Sequence, residues 1–185
     1  REYYRGAAKY MSITGKHNVA IFGGAFNPPH KGHFDVAEYL TQHTDISQVV
    51  FAPSGVHRHK GDISTHPLHR LRMLKLAVEQ HEFMSVDTSD LFQDHLEEGA
   101  GSTLNLMNSF RPLCGGDSEL FCIIGQDNAD KIESFYKWEE LTDNYRFIVF
   151  PRGDQKPDEG AWYMSDHHVY LDNFDLVDIS SSELR

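Results

Sequence analysis

The sequence predicts an α/β fold, a doubly wound parallel sheet with helices on both faces. Short runs rich in β-branched and aromatic residues alternate with amphipathic stretches, the order expected of βα units. The first such run leads through a glycine pair into a helix start, and 185 residues with 39% hydrophobic content can bury one sizeable core.

Six strands are expected, at residues 18–22, 48–52, 84–87, 120–124, 147–150 and 169–171. After the first, Val36, Ala37 and Leu40 recur at helical spacing; after the second, Leu71, Leu74 and Ala77 or Val78 do the same. Residues 102–110 read as a third helix, introduced by Gly99, Gly101 and a capping Ser102, and residues 138–141 as a further helical piece. Two polar stretches, 54–66 and 152–166, interrupt the alternation. Such loops carry ligand contacts or act as lids, and the plainer reading of each is a solvated excursion.

Composition narrows the functions. The formal net charge of −11 repels nucleic-acid backbones and anionic lipids unless a local basic patch overrides it. Neither nucleic acid nor membrane is therefore expected as a partner, while small polyphosphates remain open to a cluster of Lys, Arg, His and backbone amides. Cys114 and Cys122 are too few for a disulfide framework and lack CxxC spacing, which fits reduced thiols and a cytoplasmic location. No apolar run approaches the ~20 residues that span a bilayer, and residues 1–16, REYYRGAAKYMSITGK, read as an N-terminal extension without the apolar stretch of a secretory signal.

The chemistry concentrates after the first strand, in Gly23, Gly24, Ala25, Phe26, Asn27, Pro28, Pro29, His30, Lys31, Gly32 and His33. Glycines after a parallel strand let backbone approach a phosphate, and the helix that follows offers unpaired N–H groups and a positive dipole end. His30 and His33, three apart, can both sit at the helix start and donate to phosphate oxygens, with Gly32 between them keeping the space clear. The competing reading is a plain turn with surface or metal-binding histidines; the combined pattern is more specific than HxxH alone.

This segment resembles the HxGH nucleotidyltransferase superfamily, whose fold is Rossmann-like. Ile124, Gly125, Gln126 and Asp127 resemble the IGxD segment of the nicotinate-nucleotide adenylyltransferase family, and Ile179, Ser180, Ser181, Ser182, Glu183, Leu184 and Arg185 its ISSTxIR segment. The resemblance runs from about residue 18 to 185 and makes residues 17–185 a nucleotidyltransferase domain. Because the family continues through a further helix and this chain begins at Arg1 rather than Met, a longer natural protein is expected, with the C-terminal helix incomplete here.

The resemblance implies transfer of AMP from ATP to nicotinate mononucleotide. His30, His33 and Arg185 are the implied catalytic residues; Gly23, Gly24, Ala25, Phe26, Lys60, Gly125, Asp127, Ser180, Ser181 and Ser182 are the implied ATP-binding ones. The residues agree on physical grounds at the far end too, since ISSSELR reads as a strand end, a serine cap and a helix start, with Arg185 offering a bidentate fork. His57, Arg58, His59 and Lys60 form a basic cluster in the loop after the second strand, of which His59 and Lys60, with the helix residue Arg70, match the family. Zinc binding by His57, His59, His66 and His69 would need a regular ligand spacing that is missing. No protein metal site is expected; the implied cofactor is Mg²⁺ bound through the ATP phosphates.

The acceptor pocket departs from the family. Where an SYT-like stretch and a tryptophan are usual, this chain has Glu98, Gly99, Ala100 and Phe135. Phe135 or Trp138 is expected to stack on a pyridine ring, with backbone amides near Gly99–Gly101 and Tyr136 as donors and Arg70 alongside. Nicotinamide mononucleotide or phosphopantetheine as acceptor, or a non-catalytic nucleotide sensor, are the alternatives. A homo-oligomer is compatible with all of them.

Overall fold

The computed structural model describes residues 18–26, 28–55, 66–91, 98–115, 117–172 and 174. Within them the strands are β1 (Asn18–Gly24), β2 (Gln48–Pro53), β3 (Met84–Val86), β4 (Glu119–Gly125), β5 (Arg146–Phe150) and β6 (Val169–Tyr170). The helices are α1 (Lys31–His43), α2 (Pro67–Val78), α3 (Thr103–Phe110), α4 (Gln126–Ala129) and α5 (Trp138–Asn144). All the strand pairs are parallel, in the order β3-β2-β1-β4-β5-β6.

Side chains alternate across the sheet as the pleat requires. Val19 and Ile21 of β1 join Cys122, Ile124, Phe147 and Val149 under Leu104, Met107, Phe110 and Leu141 of α3 and α5. Ala20 and Phe22 join Val49, Phe51, Ile123 and Ile148 under Val36, Ala37 and Leu40 of α1 and Leu71 and Leu74 of α2. Helices thus cover both faces, and near-continuous apolar strands are the outcome of burial on both sides. The predicted α/β, Rossmann-like class is the observed one.

The chain winds one way through β1, β2 and β3 and the other way through β4, β5 and β6. In such sheets the crevice that takes a ligand opens beyond the carboxyl ends of the strands where the winding reverses, here β1 and β4.

Two local differences from the sequence reading matter. The glycine pair does not follow β1; Gly23 and Gly24 are its last residues, in register with Ala52 and Pro53 of β2. The stretch 152–166 is neither wholly solvated nor free. Its distal part forms a 3-10 turn, Trp162–Met164, in which Tyr163 is 1% exposed, because Tyr163 donates to Asp130 Oδ1 at 2.9 Å and Trp162 Nε1 to Ala129 O at 2.9 Å. The remaining differences are shifts of one residue at strand ends, and the piece at 138–141 continues to Asn144.

Candidate active site

The turn that leaves β1 carries its conformational demand on a residue other than glycine. Phe26 has φ 47°, while neither Gly23 nor Gly24 has a positive φ. A left-handed non-glycine residue costs about 1–2 kcal/mol, and here packing holds it. Phe26 is 3% exposed, with its ring edge-on to Phe22 at 5.5 Å, Phe51 at 5.6 Å and His33 at 4.9 Å. Gly23 is the more closely packed of the pair: a Cβ there would lie 3.3 Å from Leu106, whereas one on Gly24 would meet the Phe26 ring at 3.4 Å, an ordinary contact.

The two histidines cap α1 reciprocally. His30 Nδ1 accepts from Gly32 N at 3.1 Å, and His33 Nδ1 accepts from His30 N at 3.0 Å. The rings stack with centroids 3.7 Å apart and planes 23° apart. Since each Nδ1 is an acceptor, each ring carries its proton on Nε2. Burial, and then the neighbouring His30, push the pKa of His33 down to about 3. At neutral pH His33 is therefore a neutral N–H donor, and it can stabilise an oxyanion as a hydrogen-bond donor rather than as a cation.

An aromatic floor links this cap to the other side of the crevice. Phe22, 5.7 Å from the His33 ring, is 5.7 Å from Phe150 at the end of β5. Phe150 in turn lies against Gly125, where a Cβ would come within 3.1 Å of the ring and 2.9 Å of Asp127 Oδ1. Only a glycine fits there without a shift. Asp127, expected to meet the ribose, sits in the first turn of α4 and accepts from Arg152 Nη1 at 2.9 Å across a half-exposed ion pair. Gln126 beside it is 2% exposed and accepts from the Tyr170 hydroxyl at 2.8 Å, which fixes the start of α4 against β6.

On the side where the acceptor is expected, two segments distant in sequence meet. Gly99, at φ +75°, lies so close to Tyr136 that a methyl group there would sit 2.5 Å from Tyr136 Cε1. Phe135, Tyr136 and Trp138 are partly buried and pack against the core beneath α3 and α5. Lys137, left-handed at φ 47°, holds its ammonium 5.4 Å from the Tyr136 ring centroid. Arg70, expected near the acceptor, has no exposed surface; its Nη1 donates to Ala25 O at 2.7 Å and Ser54 O at 2.8 Å.

Lys60, Ser180, Ser181, Ser182 and Arg185, with His57, Arg58 and His59, lie outside the described residues. Sequence reading did not find the tie from Arg70 to Ala25, the Asp127–Arg152 pair or the Gln126–Tyr170 bond. Each joins segments far apart in the chain, and none has a local spacing that could have signalled it. Among the described residues no group of three or more His, Cys, Asp or Glu could hold a metal ion, and no helix is long and apolar enough to cross a membrane.

Comparison with known proteins agrees with this geometry. The cytidylyltransferase-like family matches residues 21–185. A protein of Caldicellulosiruptor saccharolyticus named "probable nicotinate-nucleotide adenylyltransferase" is 31% identical over 173 residues, covering 90% of this chain and 84% of the relative. One of the same name from Idiomarina loihiensis is 30% identical over 184 residues, covering 90% and 86%. In fold, the chain is similar to the Plasmodium falciparum nicotinic acid mononucleotide adenylyltransferase complexed with NaAD, at TM-score 0.72 and 22% identity over 90% of this chain and 82% of that one. With the sheet order, the helix cap and the family match in agreement, the chain belongs to the cytidylyltransferase-like family, and within it to the nicotinate-nucleotide adenylyltransferases.

Proposed function

We propose that this protein transfers AMP from ATP to nicotinate mononucleotide, forming deamido-NAD and pyrophosphate. The observation that carries the reading is the reciprocal cap of His30 and His33, which commits both Nδ1 atoms to backbone N–H groups and so puts the ring protons on Nε2, the donor chemistry that suits phosphate. A phosphate oxygen of the acceptor attacks the α-phosphorus of ATP. A new P–O bond forms, the bond from the α-phosphorus to the bridging oxygen breaks, and pyrophosphate leaves with its electron pair. The protein contributes placement and charge stabilisation, with no covalent nucleophile.

In this reading the backbone at Gly24, Ala25 and Phe26 cradles the phosphates, with Gly23 allowing the approach. His30 and His33 donate to the charge that develops on the phosphates. Gly125 and Asp127 meet the adenosine ribose, and Arg185, Lys60 and Ser180–Ser182 support the triphosphate. Phe135, Tyr136 and Trp138 form the acceptor subsite, with backbone amides at Gly99–Gly101 and Tyr136 serving the nicotinate carboxylate.

The rings of His30 and His33 carry N–H donors, which suit phosphate oxygens and not a bare cation, so a Mg²⁺ would ride on the triphosphate and its waters. Bound there, it would neutralise phosphate charge.

Pyrophosphate release from ATP with nicotinate mononucleotide, nicotinamide mononucleotide and phosphopantetheine tests the assignment. The expected result is at least ~10²-fold higher kcat/KM with the acid than with the amide, because donors set for a carboxylate are left unpaired or opposed by an NH₂ group. Better use of the amide or of phosphopantetheine would overturn the acceptor assignment, and no turnover with any of the three would favour a nucleotide-binding sensor.

A further inference from the structure

Arg70 is the bulkiest of the side chains with under 2% exposure. A guanidinium taken out of water needs strong partners, and removing them is costly. Its partners are two backbone carbonyls, Ala25 O and Ser54 O, both held by the single nitrogen Nη1 at 2.7 and 2.8 Å. Nε and Nη2 have no hydrogen-bond partner among the described residues. One nitrogen of α2 therefore joins the turn after β1 to the residue that follows β2. A backbone bond between the same segments, from Ser54 N to Gly24 O at 2.8 Å, closes the junction from the other side.

The consequence follows from the geometry of the peptide unit. The Ala25 carbonyl and the Phe26 N–H belong to one planar trans peptide, so they point in opposite directions. Fixing the oxygen on Arg70 aims the Phe26 N–H away from α2. The positive charge on the carbonyl also polarises that peptide and strengthens its N–H as a donor.

We infer that Arg70 is a positioning residue for the nucleotide: by holding the Ala25 carbonyl against the end of β2 it sets the direction of the Phe26 N–H that meets the ATP phosphates, and it does not touch the acceptor. This rests on the reading of the turn as the phosphate cradle given above. It also separates Arg70 from the acceptor subsite in which the family resemblance had placed it.

The test is ATP binding measured by titration without acceptor, alongside steady-state kinetics and thermal melting, in Arg70→Met and Arg70→Lys. Arg70→Met removes the donors at similar bulk and is expected to weaken ATP binding and lower kcat by about tenfold each while leaving the acceptor KM nearly unchanged. Arg70→Lys is expected to recover most of both losses, because one ammonium nitrogen can donate to two carbonyls as Nη1 does. A rise in acceptor KM with unchanged ATP titration would overturn the inference. So would a lysine variant no better than the methionine one, or a methionine variant whose only defect is a lower Tm. Should Arg70→Met not fold, Arg70→Gln is read in its place, and failure of both to fold makes the residue a folding determinant and overturns the proposal. Absence of ATP binding by the unsubstituted protein would count instead against the adenylyltransferase reading.

Discussion

The histidine cap on one side of the crevice and the Gly99–Tyr136 contact on the other are built by opposite means. On the β1–α1 side, side chains bond to backbone within a span of a few residues, as in the His30–His33 cap, and the result is a fixed array of donors. On the α3–α5 side, the shape comes from Gly99 and Tyr136, distant in sequence, pressed against each other. The histidine cap is thus specified locally, whereas the turn beside it, tied by Arg70 and Phe51, and the Gly99–Tyr136 side depend on tertiary contact. One fold can keep the first constant and change the second by single substitutions.

The largest effect that would break this contrast belongs to the local half. His33→Ala is expected to lower kcat by roughly 10²–10³, the range seen on removing one preorganised donor. Loss of the bond to His30 N adds a cap defect of about 1 kcal/mol in melting experiments. Near-normal turnover by a folded variant would remove His33 from the chemistry.

The acceptor half should answer to a smaller change of a different kind. In Gly99→Ala the added methyl would lie 2.5 Å from Tyr136 Cε1 at a left-handed φ of +75°, so the Tyr136 ring or the turn must shift. We expect the acceptor KM to rise about tenfold with the KM for ATP unchanged. Equal changes in both constants would show that the two halves are not separable.

The third effect is on stability rather than on turnover, and it sharpens the picture of the cap as neutral. An unfolded histidine takes up its proton near pH 6.5, whereas burial holds His33 to about 3 and His168 to about 4. Above pH 6.5 both states are deprotonated and stability is flat in this respect. Below it the unfolded chain binds more protons, so stability falls as pH drops, by up to about 1.4 kcal/mol per pH unit for the buried His33 and by less for the partly solvated His168. Denaturant melts between pH 7 and 5 should show this slope, reduced by His33→Ala. A flat profile would mean that His33 is protonated in the fold.

Much of the fold was legible because it depends on period. Val36, Ala37 and Leu40 mark the buried face of α1, and all six strand segments lie where their apolar runs predicted. The His30–His33 pair was legible because a helix start and a three-residue spacing are local facts. The left-handed residue was not, since Phe26 is held at φ 47° by rings from β1, β2 and α1 rather than by its own preference. The glycine pair was placed one step too late because ladder pairing with Ala52 and Pro53 depends on β2, which the glycines themselves do not announce. The bonds that pin Tyr163 and Gln126 were invisible for the same reason: their partners, Asp130 and Tyr170, are far along the chain.

The left-handed Phe26 has a consequence for when free energy is spent. A flexible glycine at that position would leave the turn to be ordered by the nucleotide, and each binding event would bear the entropy of ordering it. With a buried aromatic ring as the anchor, the unfavourable backbone state is met once, at folding, by the contacts to Phe22, Phe51 and His33. Under the proposed reading of this turn, the nucleotide then encounters a cradle whose shape does not depend on its arrival.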